Sequence, residues 1–374
     1  MNIGIDGRAA KWYRGTGIGT YTHQLISNIN KIDKLNQYLL FLPKNSDLEL
    51  NENFTINPIE ESPNNNFWDE VNAPNILNNT DIELYHVPQN GVGLASNINC
   101  LKAITLHDII PLRMPETVSD RYLNIFHNHL PQIIQNCDGI ITVSEFSKDD
   151  IAREFNYPKE KIFVTHLAAE DIYIPLNKSY CKNFLKSKYN IDKNFILYVG
   201  GYSPRKNIIG ILEAFSLLDE SIKNNLYVVI TGKKGISYSI YMKRAEDLGI
   251  ENSVIFTDFI PLEHLPIFYN ASEFLVYPSF YEGFGLPPLE AMACGTPVIA
   301  SNVTSIPEIC SDSALLIDPN NIDDLSLSMN KLLDDNSLRL SMIEAGLKTS
   351  NKYSWINTAK DTIKAYKSII NSYK

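Results

Sequence analysis

A chain of 374 residues is long enough for two domains of ordinary size, each with its own hydrophobic core. Hydrophobic residues make up 44% and charged residues 20% of the chain, which excludes a disordered protein. The formal net charge of −10 excludes a general nucleic-acid binder, because such proteins need a basic surface to hold phosphate backbones.

Short β-branched runs alternate with helix-like spacing through the first half of the chain. The alternation predicts parallel βαβ units and an α/β domain over residues 1–170. Residues 51–79 are rich in Asn and Pro and lack periodicity, so we expect a long loop there, to which the sequence assigns no role. The strands predicted in this half are residues 3–6, 38–42, 84–87, 103–106 and 140–143.

A second series of apolar runs begins at residue 195. We expect residues 171–194, which are polar, lysine-rich and broken by Pro175, to form a linker to a second α/β domain over residues 195–354. The runs are typical of strands that helices cover on both faces. They comprise residues 195–199, 227–231, 254–257, 274–277, 297–300 and 315–317.

Cysteine spacing and hydropathy indicate where in the cell the protein is located. The five cysteines show no Cys-x-x-Cys spacing, so neither a zinc site nor a disulfide framework is indicated. A strand pattern starts at Ile3 without the basic and apolar regions of a signal peptide. No run approaches the roughly 18 apolar residues of a membrane span. We therefore expect a cytoplasmic protein whose only membrane contact is peripheral, at the inner face.

Ligands of open α/β sheets bind beyond the carboxyl ends of the strands, so the residues after each strand are the first candidates. Gly17 and Gly19 lie between the first strand and a helix near Tyr21, where glycines let backbone amides approach a phosphate. A flexible turn is the open alternative. His107 follows the strand that ends at Leu106 and can donate to a sugar hydroxyl or position the reacting carbon, with a structural histidine as the alternative.

Two cations follow the first strand of the second domain. Arg205 and Lys206 stand side by side at a predicted strand-to-helix turn. A guanidinium can bind two phosphate oxygens at once, and an ammonium adds a point charge. In an acidic chain, this pair predicts a pyrophosphate site.

Two carboxylates flank a glycine-rich turn further on. Glu282 lies in the loop before a helix, and Glu290 lies in the first turns of that helix, which Pro287 begins. Carboxylates accept hydrogen bonds from vicinal hydroxyls, and the amides of Gly285 and Leu286 attract phosphate. Hydroxyl acceptors beside a phosphate nest predict a nucleotide-sugar site.

These places together resemble the retaining glycosyltransferases of family 4, and especially the mannosyltransferase-B-like branch. Residues 277–301 look like the family's Glu-x7-Glu signature, and residues 14–21, 105–109, 142–147 and 199–207 match family patterns in the same order. The likeness covers essentially the whole chain. It implies the GT-B fold, in which two Rossmann-like domains with doubly wound parallel sheets face each other across a cleft, with a C-terminal helix (residues 355–374) packing back on the first domain.

The resemblance also implies roles for single residues. Arg205 and Lys206 hold the donor pyrophosphate, and Glu290 binds the ribose. Glu282 contacts the transferred sugar beside the backbone of Gly283, Phe284 and Gly285. His107 lies close to the reacting sugar and Gly17 close to the β-phosphate. The segment 165–170 departs from the family's more frequent Asn-Gly turn.

No Asp-x-Asp triplet occurs in the sequence, so we expect no metal and no other cofactor. The resemblance favours GDP-mannose as donor and a glycan or lipid-linked acceptor in surface-polysaccharide synthesis, with a UDP-sugar donor or a nucleotide-sugar epimerase as alternatives. A two-domain sugar-binding protein is the rival from another class. An NAD-dependent dehydrogenase is a further rival, but this chain lacks the acidic residue that follows the second strand in such enzymes, because residues 38–42 are followed by Pro43 and Lys44.

Overall fold

The computed structural model describes residues 1–43, 48–59, 77, 80–94, 97–233, 235 and 237–373. The chain divides into two compact units. The first comprises Met1–Leu167 and Ser354–Lys374, and the second comprises Ala168–Tyr353. Each unit is built on a parallel sheet with helices, which confirms the predicted fold class. Within the described part of the chain, no helix is long and apolar enough to cross a membrane.

The sheet of the first unit has seven parallel strands in the order β3-β2-β1-β4-β5-β6-β7. Their bounds are β1 Asn2–Asp6, β2 Gln37–Pro43, β3 Phe54–Ile59, β4 Leu84–Val87, β5 Leu101–Thr105, β6 Gly139–Thr142 and β7 Ile162–Val164. The two edge strands, β3 and β7, were not predicted. The prediction of a loop over residues 51–79 is therefore wrong for Phe54–Ile59, which form β3. Residues 60–76 and 78–79 of the predicted loop lie outside the described residues.

The sheet of the second unit has six parallel strands in the order β10-β9-β8-β11-β12-β13. All six were predicted, with bounds that differ by one residue at most. They are β8 Asn194–Val199, β9 Leu226–Thr231, β10 Val254–Phe256, β11 Leu275–Tyr277, β12 Val298–Ser301 and β13 Leu315–Ile317.

Each strand order reverses direction once, between β1 and β4 in the first unit and between β8 and β11 in the second. Loops on the two sides of such a point diverge onto opposite faces of the sheet, which leaves a crevice where ligands bind. In the second unit the loop after β8 carries Arg205 and Lys206, and the loop after β11 carries Glu282. The predicted cations and the first predicted carboxylate thus share one switch point.

Helices cover both sheets, and many of them begin at a side-chain cap. The capping residues are Thr16, Ser119, Ser144, Asn177, Asn207, Asn321, Asp335 and Ser354. The α-helices of the first unit are Arg8–Trp12, Gly17–Ile32, Ile110–Arg113, Asp120–Asn128, Leu130–Asn136, Glu145–Phe155 and Trp355–Asn371. Those of the second are Lys178–Tyr189, Ile208–Ser216, Glu220–Lys223, Tyr238–Asp247, Leu265–Ala271, Leu286–Ala293, Ile306–Cys310, Ile322–Asp334 and Asn336–Ser350.

Residues 171–194 are not a linker. Most of them form the helix Lys178–Tyr189, which buries Cys181 and Leu185 in the core of the second unit. Its lysines lie on the exposed side, and Lys178 and Lys182 pair with Glu273. A narrow apolar stripe is enough to anchor a helix, so a lysine-rich composition hid this element.

The last helix, Trp355–Asn371, packs on the first unit. Its buried Tyr366 hydroxyl lies 2.7 Å from Nδ1 of His86 on β4. Nε2 of the same histidine lies 2.8 Å from the Thr105 hydroxyl, which in turn lies 2.9 Å from the Tyr21 hydroxyl. A chain of buried hydrogen bonds therefore joins the end of the sequence to the sheet.

Candidate functional site

A single 3₁₀ turn, Pro204–Lys206, places the two predicted cations directly after β8. The turn is held at both ends. Arg205 accepts a hydrogen bond on its backbone oxygen from the Phe280 amide at 2.9 Å, across the switch point. Asn207 adopts a left-handed conformation (φ 56°), and its side chain caps the next helix at the Gly210 amide and donates to Pro319.

Both cations converge on one oxygen of Glu282. Oε1 of this carboxylate lies 2.7 Å from Nη1 of Arg205 and 2.6 Å from Nζ of Lys206. The Tyr277 hydroxyl donates to the same oxygen at 3.0 Å, and the Lys206 ammonium lies 4.7 Å from the centre of the Tyr277 ring. Three residues that the sequence assigned to the donor site are therefore in direct contact.

The surroundings keep Glu282 ionised. Burial raises the pKa of its carboxyl, but the Lys206 ammonium and the Arg205 guanidinium outweigh burial and lower that pKa to about 2. At neutral pH the cluster holds two positive charges and one negative charge. A diphosphate approaching it meets a net positive charge in a largely buried setting, where electrostatic attraction is stronger than in water.

Two hydroxyl side chains after β12 hold the Glu282 loop, and sequence reasoning missed both. The Glu282 amide donates to Oγ1 of Thr304 at 3.1 Å. Oγ of the fully buried Ser305 lies 2.9 Å from the Glu282 carbonyl oxygen and 2.8 Å from that of Phe284. Thr304 has φ 58°, which is rare for a β-branched residue. Their place just after a strand was the only sequence signal.

The helix that follows Glu282 begins at Leu286, and the next two residues are prolines. Gly285 precedes it with φ 117°, and a Cβ there would meet Ile306 at 2.7 Å, so glycine is required. Pro287 and Pro288 have no N–H. The amides of Gly285 and Leu286 donate to no acceptor among the described residues, as a phosphate nest requires. Gly283 and Phe284 are buried beside them.

Glu290 lies on the same helix but in a separate polar cluster. The Tyr269 hydroxyl donates to its Oε2 at 2.7 Å, and the side chains of Glu170 and Tyr173 face the same carboxyl. Burial raises the pKa of Glu290 to about 7, and the Glu170 charge adds to the rise while the tyrosine hydroxyls oppose it. Residues 165–170, which depart from the family's more frequent Asn-Gly turn, thus bring a second carboxylate, that of Glu170, to Glu290.

His107 is buried against the Tyr21 ring in the first unit, with ring centroids 4.7 Å apart. Its Nε2 donates to the Pro88 carbonyl oxygen at 3.1 Å, and its amide donates to the Asn90 side chain at 2.9 Å. Burial lowers the pKa of His107 to about 4, so the ring is neutral at pH 7. The neutral ring has a single N–H, on Nε2, and donates it to the Pro88 carbonyl oxygen. Nδ1 can therefore accept a hydrogen bond from a hydroxyl but cannot donate one.

Gly17 and Gly19 differ in their surroundings. Gly17 is the exposed first residue of the helix Gly17–Ile32, with open space around its Cα. Gly19 is buried, its amide donates to the Thr16 cap at 3.2 Å, and a Cβ would overlap the Tyr13 backbone. Close packing therefore requires glycine at position 19, whereas Gly17 is exposed at the start of the helix. A ligand role for either glycine stays a prediction.

A buried ion pair at the switch point of the first unit also escaped sequence reasoning. Nε and Nη2 of the fully buried Arg8 lie 2.9 and 2.6 Å from the two carboxylate oxygens of Asp6. Gln89, after β4, donates to the same carboxylate at 2.6 Å. The pair therefore ties the end of β1 to the end of β4. Across the described residues, no three His, Cys, Asp or Glu side chains could hold a metal ion.

Two family models match the chain, one in each half. The model described as Glycosyltransferase Family 4 matches residues 15–169, and the model described as Glycosyl transferases group 1 matches residues 182–349. O-antigen chain mannosyltransferase B of Escherichia coli is 38% identical over 263 residues, which cover 70% of this chain and 69% of that protein. The serotype-specific mannosyltransferase WbdA of Escherichia coli is 29% identical over 74% of this chain and 35% of its own longer chain.

Among solved structures, sucrose-phosphate synthase from Thermosynechococcus elongatus is similar with a TM-score of 0.78 over 100% of both chains. At 19% identity this likeness shows the fold alone. The two Rossmann-like units have the GT-B fold, and the family models and the relatives identify the chain as a glycosyltransferase. The chain belongs to glycosyltransferase family 4, as residues 277–301 predicted.

Proposed function

We propose that this enzyme transfers mannose from GDP-mannose to a glycan or lipid-linked oligosaccharide in the synthesis of a surface polysaccharide of O-antigen type. The observation that carries the proposal is the contact of Arg205 and Lys206 with Glu282 at the switch point of the second unit. The names of the two curated relatives support mannose as the transferred sugar.

Each part of the donor has partners of fitting chemistry in the second unit. Arg205 and Lys206 bind the diphosphate, and the amides of Gly285 and Leu286 donate to it. Glu282, whose Oε1 is held by the two cations, orients them and contacts the sugar beside Gly283 and Phe284. The ribose hydroxyls donate to Glu290. Roles for Gly17 and His107 of the first unit stay the predictions that the family resemblance implies.

The proposed reaction retains the configuration at the anomeric carbon. The acceptor hydroxyl attacks that carbon on the face from which the diphosphate leaves, and its proton passes to a diphosphate oxygen. The carbon–oxygen bond to the diphosphate breaks with its electron pair on the leaving oxygen, where Arg205 and Lys206 stabilise the growing charge. Glu282 is tied to both cations, which argues against its acting as a nucleophile.

Metal independence and location are parts of the same proposal. Because the sequence has no Asp-x-Asp triplet, the two cations and the helix-start amides neutralise the leaving group without a metal or another cofactor. A lipid-linked acceptor is amphipathic, so we place the enzyme in the cytoplasm with peripheral contact at the inner membrane face.

A thermal-shift panel followed by a transfer assay tests the proposal. GDP-mannose and GDP should raise the melting temperature, because a ligand that binds only the folded state stabilises it, while free mannose should not. Mannosyl transfer to a mannose-terminated lipid-linked acceptor should give a product whose anomeric configuration, read by NMR, matches the donor. A shift with UDP-glucose alone would replace the donor, and a shift with free mannose alone would indicate a binding protein.

A further inference from the structure

Glu290 is held by a tyrosine that no site assignment includes. Tyr269 lies on the helix Leu265–Ala271, is fully buried, and donates its hydroxyl to Oε2 of Glu290 at 2.7 Å. The Tyr269 ring packs edge-on against the Tyr173 ring, with centroids 5.7 Å apart. Its backbone oxygen accepts from the Thr296 hydroxyl at 2.8 Å. Tyr269 is therefore held through its hydroxyl, its ring and its backbone oxygen.

A glutamate carboxylate, carried on two flexible methylene groups, must be oriented before it can accept hydrogen bonds from two neighbouring hydroxyls. Tyr269 binds one oxygen of Glu290, and the Glu290 side chain remains partly exposed. Holding one oxygen in place reduces the conformational freedom of the Glu290 side chain, so less of that freedom is lost when a ligand binds. Burial and the Glu170 charge both raise the pKa of Glu290, and the hydrogen bond from Tyr269 opposes them by favouring the charged form.

We propose that Tyr269 is a positioning residue for nucleotide binding, which holds Glu290 so that its carboxylate accepts from the ribose diol of a nucleoside diphosphate. The inference rests on the proposed role of Glu290 in the donor site. Tyr269 does not touch the nucleotide itself. Its effect must therefore disappear when either the ribose hydroxyls or the Glu290 carboxylate is absent.

The test combines one substitution with two pairs of ligands. Dissociation constants of GDP and of 2′,3′-dideoxy-GDP are measured by calorimetry for the parent and for Tyr269→Phe, with UDP and its dideoxy form in parallel. We expect Tyr269→Phe to weaken GDP by about tenfold, as for a lost hydrogen bond to a charged group, and to leave dideoxy-GDP unchanged. In steady-state assays KM for the donor should rise while kcat at saturating donor stays within about twofold.

Two further variants separate positioning from general damage. Tyr189→Phe removes another phenol that makes a 2.7 Å hydrogen bond, to Nδ1 of His264, and Tyr189 packs on Phe268 of the same helix. It should leave both affinities unchanged. In a Glu290→Gln background, adding Tyr269→Phe should have no further effect on GDP, because coupled residues are not additive.

The results discriminate between this inference and the proposed function. Equal loss for GDP and dideoxy-GDP, no loss for either, or full additivity with Glu290→Gln would overturn the positioning role. A parent protein that binds neither GDP nor UDP would instead overturn the proposed function.

Discussion

Arg205 is the side chain whose loss tests the proposed reaction most directly. Its guanidinium lies 2.7 Å from Glu282 and 2.5 Å from the Tyr281 carbonyl oxygen, so it is preorganised before any ligand binds. Negative charge grows on the diphosphate as it leaves, so the guanidinium binds the diphosphate more tightly in the transition state than in the ground state. We expect Arg205→Ala to lower kcat roughly 10²- to 10³-fold.

Arg205→Lys should recover only part of the rate, since a point charge cannot replace a bidentate fork. The measurement is steady-state kinetics at saturating donor, on variants that melt at the parent temperature. Arg244→Ala is the matched control, because it breaks a surface pair with Glu213 in the same unit. A rise in KM with kcat intact would make Arg205 a ground-state binding contact only.

Glu290 gives a pH-dependent prediction. The folded protein keeps a proton on this carboxyl up to a pKa of about 7, whereas the unfolded chain releases it near 4.5. Stability therefore falls as pH rises from about 4.5 to 7, where the folded state binds more protons than the unfolded state. Glu290→Gln should match the ligand-free parent at pH 4.5 and exceed its unfolding free energy at pH 8, by on the order of 1 kcal/mol.

Urea unfolding at several pH values measures this difference. Glu344→Gln, which removes an exposed carboxylate paired with Lys348, should show no comparable gain at pH 8. The same Glu290→Gln variant should bind the donor more weakly. A variant that is less stable than the parent at pH 8 would show that the ionised carboxylate is a net stabilising group.

At the residue scale, the sequence indicates candidate residues where a chemical pattern is local. Arg205 and Lys206 are adjacent, and Glu282 precedes a recognisable glycine-proline turn, so charge and spacing indicated them. Tyr269 and Ser305 gave no such signal, because each acts on a residue 21 and 23 positions away, respectively. Only the fold brings those partners together.

At the scale of elements, one buried hydrogen bond joins the C-terminal helix to β4. Burial lowers the pKa of His86 to about 3, so its ring is neutral and needs partners on both nitrogens. Tyr366→Phe leaves Nδ1 of His86 unpaired in a dry site, which costs about 1–3 kcal/mol of unfolding free energy. Urea denaturation at pH 7 measures the loss.

Tyr373→Phe is the control, because that phenol is half-exposed and its hydroxyl lies 3.3 Å from the Lys161 ammonium. We expect it to change the unfolding free energy by no more than about 0.5 kcal/mol, as for most surface substitutions. Equal effects of the two substitutions would mean that His86 finds another partner when Tyr366 is lost.

Element prediction failed in two characteristic ways. The edge strand β3 contains Pro58, which is tolerated only because an edge strand does not need every N–H. The helix Lys178–Tyr189 shows so little apolar surface that composition indicated a linker. Central strands, which are apolar on both faces, were placed to within a few residues.

At the scale of the whole molecule, the proposal requires activity without a divalent ion. Excess EDTA should leave mannosyl transfer unchanged, because side-chain cations and helix-start amides take the role of a metal at the diphosphate. A transferase with an Asp-x-Asp triplet, treated in the same way, should lose its activity. Activity that is lost and then restored specifically by Mn²⁺ or Mg²⁺ would contradict the proposal.

The sequence by itself determined the two α/β units and their central strands, and it indicated the candidate cations and carboxylates of the second unit. These features depend on local periodicity and on residue types within short segments. The tertiary structure decided which groups meet: Oε1 of Glu282 with two cations, Glu290 with Tyr269, and His86 with Tyr366. It also fixed the proton states of these groups, because burial and neighbouring charge shift a pKa, and neither can be read from the order of residues.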